Sequence, residues 1–80
     1  MKIATTVDGV LHLQRAALGD EKARLPIRHF VMLLVCRKDA MEIEQVYKKV
    51  CKERLVQFTY PDFVHDVKVL ERKGWLRQCQ

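Results

Sequence analysis

Glycine and cysteine are scarce in this chain, and where they lie excludes several kinds of site. The three glycines are isolated from one another, so the sequence has no glycine-rich loop of the kind that cradles a phosphate. The three cysteines form no CxxC or CxxH pair, and an odd number without a paired framework argues against a disulfide-stapled secreted domain. We therefore expect reduced thiols and an intracellular location, either cytoplasmic or nuclear.

Long apolar segments and clustered ligands are also missing. The longest apolar run, residues 30–36, is far shorter than the ~20 residues that span a bilayer, and the N-terminus has no apolar segment of signal-peptide length. None of the three histidines has a His or Cys four residues away in a zinc-like pattern. We expect a protein that is not an enzyme and has no cofactor, no metal, no membrane association and no small-molecule substrate.

Apolar and charged residues are abundant. Hydrophobic residues make up 49% of the chain and charged residues 31%, a balance typical of a folded globular domain. Eighty residues allow one domain with a small core, too small for a large enclosed active site. The 15 Lys and Arg exceed the 10 Asp and Glu, which gives a net charge of +5. This excess favours a polyanionic partner.

The clearest local signal predicts a helix over residues 59–73. Thr59 suits the N-cap position, and Asp62 three residues later completes a capping-box pattern. At helical spacing, the inward face carries Phe63, Val67 and Leu70. Gly74 is a typical helix stop, and residues 75–77 are predicted to leave it as a short strand.

The N-terminal segment has two competing interpretations. As a helix over residues 6–18, it would be capped by Thr6 and stopped by Gly19. Val7, Val10, Leu11, Ala17 and Leu18 would then cluster on one face, with Gln14 as the polar exception. As a hairpin, it would turn at Asp8-Gly9, a two-residue turn signal between alternating segments. We favour the helix, because the segment ends in the strong terminator Gln-Arg-Ala-Ala-Leu-Gly.

Two more helices are predicted between these segments. Residues 26–38 are apolar on all sides through their middle, which predicts a buried central helix. Residues 42–54 predict an amphipathic helix whose inward face carries Ile43, Val46, Tyr47 and Val50. Residues 39–42 can hold a two- or three-residue strand, and residues 55–58 are predicted to be a turn partly packed on the core.

The second half of the chain resembles the winged helix-turn-helix superfamily. The recurring ending of that superfamily is matched by Phe63, Val67, Leu70-Glu71, Gly74 and Leu76, and Met41-Glu42-Ile43 resembles its opening strand. The resemblance implies a mainly α fold. A three-helix core with a short β element would cover residues 26–77, and residues 1–19 would add an N-terminal extension helix. Only four residues follow Leu76, so the wing is expected to be truncated or absent.

The resemblance also implies that helix 59–73 is a recognition helix for duplex DNA. Its outward face lies about 140–200° from Phe63 and carries Pro61, His65, Lys68 and Arg72, with no acid. Cationic side chains there can donate to guanine or phosphate, Tyr60 can reach a phosphate at the helix start, and Lys49 and Lys52 can contact the DNA backbone. We expect a small DNA-binding regulator or accessory factor in transcription or replication.

A protein-interaction module or homodimerising adaptor is the alternative. Three acids balance three bases over residues 59–73, so this helix offers little of the electrostatic attraction that DNA binding uses. The candidate protein-interface residues are Leu11, Leu13, Val64, Val69 and Trp75. The carboxylates of Asp62 and Asp66 discriminate between the two roles. If they fold back onto the protein, the outward face stays electropositive, whereas an acidic rim disfavours DNA.

Overall fold

A computed structural model describes residues 1–52 and 58–79. Over these residues the chain forms four α-helices and three strands, with a single turn of 3-10 helix (Glu21–Ala23) between the first two helices. The elements follow in the order β1 (Lys2–Thr5), α1 (Val7–Ala17), α2 (Ile27–Val35), β2 (Met41–Glu42), α3 (Ile43–Lys52), α4 (Tyr60–Arg72) and β3 (Leu76–Cys79). The expectation of a mainly helical protein with a small β element is confirmed.

The N-terminal strand lies in the centre of a three-stranded antiparallel sheet ordered β2-β1-β3. Along its whole length β1 pairs with β3, so that Lys2 lies opposite Cys79 and Thr5 opposite Leu76. A returning strand was expected only after Leu76, where too few residues follow to form one. The partner strand comes instead from the other end of the chain, a pairing that local sequence signals do not reveal.

Two consecutive threonines at the end of β1 hold three elements together. The Thr5 amide donates to the Cys36 carbonyl (3.1 Å) and its hydroxyl donates to the Leu33 carbonyl (2.7 Å), at the C-terminal end of α2. The Thr6 hydroxyl donates to the Gly74 carbonyl (2.6 Å) just beyond α4 and accepts from the Gly9 amide (3.0 Å) as the N-cap of α1. These bonds satisfy polar groups that helix ends leave unpaired.

Helix α1 confirms the helical interpretation of the N-terminal segment over the hairpin, but its apolar face is not the buried one. Gly9 and Leu13 are buried. Of the five apolar residues predicted to share one face, Val10 is half-buried and the others are exposed: Val7, Leu11, Ala17 and Leu18. Gly9 explains the rotation, because a Cβ there would lie 2.7 Å from Thr5 Cγ2 and within contact distance of the Trp75 carbonyl oxygen. The bare glycine lets α1 pack directly on that backbone.

Helix α2 ends at Val35, three residues before the predicted end, and Cys36 follows as its C-cap. It is not buried all round, because Ile27 and Leu34 are exposed. The short strand predicted over residues 39–42 is confirmed as β2. The predicted end of α3 at Arg54 and the predicted turn over residues 55–57 lie outside the described residues.

Helix α4 confirms the strongest local prediction. Thr59 accepts from the Asp62 amide (3.3 Å), and the rings of Phe58 and Phe63 pack 5.9 Å apart across the helix start. Gly74 has a φ of 80°, and its amide donates to the Glu71 carbonyl (2.9 Å). The Trp75 amide donates to the Leu70 carbonyl (3.0 Å), which completes a Schellman motif.

All four helices and the sheet contribute to one core. Its most deeply buried side chains are Ile3, Met32, Leu33, Val46, Val50, Phe63, Val67 and Leu70. The inward faces predicted for α3 and α4 are represented in this cluster, although Tyr47 is only half-buried. The core therefore fixes which side of α4 faces outward.

Candidate nucleic-acid interface

The predicted outward face of α4 is a real surface of the protein. Because the opposite face of α4 is buried in the core, the side chains of His65, Lys68 and Arg72 are exposed together. Lys68 and Arg72 line a shallow concavity together with Glu71. We name His65, Lys68 and Arg72 the α4 face.

Asp66 has turned inward from this helix. Only 2% of the residue is exposed, and its Oδ2 lies 2.7 Å from Arg28 Nε on α2. Its Oδ1 lies 3.4 Å from Nε2 of the buried His29. The Arg28 guanidinium compensates this carboxylate, so one of the three acids of α4 is withdrawn from the outward side. Local sequence signals do not reveal this pairing, because Arg28 and Asp66 are far apart in the chain.

The other two acids of α4 remain at the margins of the α4 face. Glu71 is half-buried, and both of its carboxylate oxygens lie 3.3 Å from Gln78 Nε2, which can donate to them. Asp62 is exposed in the first turn, where a negative charge is favoured by the helix dipole. The two carboxylates expected to discriminate between DNA and protein binding therefore differ: that of Asp66 is folded back onto the protein, whereas that of Asp62 is not. The middle of the outward side is electropositive and its N-terminal end carries one acid.

Tyr60 belongs to an aromatic cluster at the start of α4. Its ring packs edge-on against Tyr47 of α3 (centroids 5.1 Å apart, planes at 84°) and lies 5.9 Å from Phe63, which leaves 38% of the residue exposed. The Tyr47 hydroxyl donates to the Phe58 carbonyl (2.9 Å). This packing holds Tyr60 at the helix start, where it was predicted to reach a phosphate. The role of Tyr47 in orienting it was not foreseen.

Lys49 and Lys52 lie in a different environment from the α4 face. Tyr47 turns toward α4, and Lys49 is about 200° further round α3, so it points away from α4. Both lysines are exposed and line a groove at the C-terminal end of α2 together with Leu34, Val35 and Arg37. The structure thus forms a second basic cluster of Arg37, Lys49 and Lys52. Arg37 was not predicted to belong to this cluster, although the basic pair Arg37-Lys38 follows the end of α2.

The predicted protein-interface residues also separate. Leu13 is 5% exposed and belongs to the core, so its assignment to a docking surface is wrong, whereas Leu11 is 53% exposed. Residues two apart on a helix point about 200° away from each other, so both could not face a partner. Val64 and Val69 are half-buried on α4. Trp75 is half-buried and stacks on His12, with ring centroids 3.9 Å apart.

Residues 1–52 and 58–79 show neither a cluster of metal ligands nor a membrane-spanning helix. There, no group of three or more His, Cys, Asp or Glu side chains is arranged to hold a metal ion. No helix in that part of the chain combines the length and apolar character that crossing a bilayer requires. No protein-family model, curated protein or solved structure matches the chain.

Proposed function

We propose that this chain is a non-catalytic, winged-helix-like protein that binds duplex DNA through the α4 face. The observation that carries the proposal is the exposure of Lys68 and Arg72 on a well-anchored helix whose central acid, Asp66, is neutralised from inside by Arg28. An exposed helix of this kind can enter the major groove of DNA. In this proposal α3 and α4 form the helix-turn-helix, and β1 serves as the strand that would otherwise return from a wing.

The roles of the side chains follow from their chemistry. Arg72 and Lys68 donate to guanine edges or phosphate oxygens, and His65 donates to a base or a phosphate. Tyr60, at the helix start, donates its hydroxyl to a phosphate. With Asp62 and Glu71 nearby, the net attraction is modest, so we expect weak binding that is best measured at low salt.

Fluorescence anisotropy with a labelled duplex at two salt concentrations tests the proposal. We expect measurable binding at low salt that falls as salt rises, and a further loss in Lys68→Ala and Arg72→Ala. A residue that contacts phosphate should lower the slope of log affinity against log salt by about 1, and a base-reading residue should cost about 1–3 kcal/mol. Lys22→Ala, an exposed lysine in the 3-10 turn, is the matched control. Absence of binding at low salt would overturn the proposal.

Lys49 and Lys52 stay predicted phosphate contacts, but their groove faces away from α4. They reach the same duplex only if the DNA also passes the C-terminal end of α2. In that case Lys49→Ala and Lys52→Ala should each weaken binding by a similar amount for all DNA sequences, because phosphate contacts carry no sequence information. Unchanged affinity would remove both lysines from the interface.

A protein-interaction module is the second candidate function. The observation that favours it is the exposure of three large apolar side chains on α1: Val7, Leu11 and Leu18. Contiguous apolar surface of this kind commonly marks an interaction site. Affinity capture with immobilised wild-type protein and a Leu11→Lys control tests this function: a partner lost with the variant supports it, and failure to recover any partner or a second copy contradicts it.

A further inference from the structure

Helix α1 carries an exposed apolar row along its outward side. Val7 is 78% exposed, Leu11 is 53% exposed and Leu18, at the C-cap, is 87% exposed. On a helical projection the three lie within about 40° of one another and extend over roughly 16 Å. We name these three residues, together with Gln14 between Leu11 and Leu18, the α1 stripe.

The α1 stripe is not used in folding the chain on itself. The opposite side of α1 makes the internal contacts, through Gly9 against the Trp75 backbone and through the buried Leu13. The contact between Gly9 and the backbone leaves little freedom to rotate the helix and bury the stripe. Apolar side chains aligned in this way are therefore available to a partner.

The flanks of the α1 stripe identify the kind of partner. One flank is uncharged and carries Val10 and Ala17. The other carries Asp8 in the first turn and Arg15 in the last turn. An acid at one end and a base at the other end of the same flank are self-complementary when two identical helices lie antiparallel, because a two-fold axis brings each charge beside its opposite.

We propose that a second copy of this chain covers the α1 stripe, in a two-fold symmetric, antiparallel pair of α1 helices. Val7 of one copy then packs on Leu18 of the other, and Leu11 packs on Gln14. Asp8 of one copy approaches Arg15 of the other. Gln14, the one polar residue of the stripe, then lies against Leu11 of the other copy and lowers the affinity.

The position of Arg15 suits this arrangement. Its Nε and Nη2 donate to Asp20 Oδ2 (3.0 and 2.9 Å), and this pair holds the guanidinium beside the end of the helix. The Asp20 carboxylate in turn accepts from the Lys22 amide (2.9 Å), so the charge cluster is anchored to the 3-10 turn. A pre-ordered cation loses less conformational entropy when Asp8 of the second copy approaches.

Sedimentation equilibrium over a concentration series, without DNA, tests the proposal. The average mass should rise from the monomer value of 9.4 kDa toward twice that value. Leu11→Lys and Leu18→Lys should each weaken association at least tenfold, while circular dichroism remains that of the wild type. Leu34→Lys is the matched control, because it changes an exposed leucine on α2 and should leave association intact. A protein that stays monomeric at every concentration would overturn the proposal.

A charge exchange tests the antiparallel register. Asp8→Lys and Arg15→Glu should each weaken self-association, because each creates two like-charge contacts across the two-fold axis. An equal mixture of the two variants should associate as well as the wild type, because every contact then joins opposite charges. Failure of the mixture to recover association would overturn this register. Lys68→Ala and Arg72→Ala should leave association unchanged, so this experiment fails or succeeds independently of DNA binding.

Discussion

Replacing Gly9 with alanine should destabilise the protein, although alanine is the best helix former. In an exposed helix interior this change gains about 1 kcal/mol. Here the new Cβ would meet the Trp75 carbonyl oxygen, the Trp75 carbonyl carbon at 3.1 Å and Thr5 Cγ2 at 2.7 Å. Two of these atoms are backbone, so they cannot move aside as a flexible side chain would.

The expected loss of stability follows from the atoms that the new Cβ would displace. Forcing extra volume into a packed contact costs about 1–3 kcal/mol. Moving α1 away also strains the bond from the Thr6 amide to the Trp75 carbonyl (2.9 Å), and a typical hydrogen bond contributes about 1 kcal/mol. Together these costs exceed the gain in helix propensity. We expect a net loss of about 1–3 kcal/mol in the free energy of unfolding.

Urea unfolding followed by circular dichroism measures this effect. Gln45→Ala is the matched control, because Gln45 is exposed on α3 outside the α1 stripe, and its replacement should change stability by no more than about 0.5 kcal/mol. If Gly9→Ala instead stabilises the protein by about 1 kcal/mol, as in a free helix, α1 does not pack on the Trp75 backbone. That result would contradict the orientation of α1 in which Gly9 is buried.

Three further predictions concern the core. At a concentration where the protein is monomeric, Leu13→Ala should cost about 2–5 kcal/mol in urea unfolding and Leu11→Ala less than about 0.5; equal effects would contradict the orientation of α1. Arg28→Ala should cost about 2 kcal/mol because it leaves the buried Asp66 carboxylate without its cation, and a neutral effect would mean that Asp66 needs no compensation. Burial raises the pKa of the Cys36 thiol, although its contact with the Thr5 hydroxyl partly opposes this, so folding keeps the thiol protonated. The free energy of unfolding should therefore fall as pH rises from the pKa of the unfolded thiol toward the raised pKa of the folded thiol. Cys36→Ala should reduce this alkaline loss of stability. An identical loss in both proteins would exclude Cys36 as its source.

Local signals predicted the parts of the fold that depend on neighbouring residues. Helix α4 was predictable because its cap at Thr59, its apolar spacing and its stop at Gly74 all lie within one short segment. Strand β2 was predictable for the same reason. The pairing of β1 with β3 was not predictable, because it joins residues from opposite ends of the chain. Each strand has only 4 residues, too few for a clear alternating pattern.

Helix α1 illustrates a second limit of sequence reasoning. Its apolar residues were predicted to share one face, and such a face normally lies against the core. A glycine contributes nothing to apolar periodicity, yet Gly9 decides the rotation because it alone allows contact with a backbone carbonyl. The apolar periodicity of α1 therefore marks an outward surface, which the proposed self-association would explain.

The candidate site was predictable in its direction but not in its charge. Helical spacing was sufficient to predict that His65, Lys68 and Arg72 face outward. It could not predict that Asp66 is withdrawn by Arg28, because that pair depends on how α2 packs against α4. It also could not predict that Lys49 lies on the far side of α3 from α4.

Amide chemical shifts offer the most direct test of the claim that the α4 face contacts DNA. A short duplex is titrated at low salt into the isotopically labelled protein, and the perturbed amides are mapped on the structure. We expect the largest changes to cluster around His65, Lys68 and Arg72, and to vanish when salt is raised. Changes confined to the Arg37, Lys49 and Lys52 cluster, or no changes at all, would contradict it.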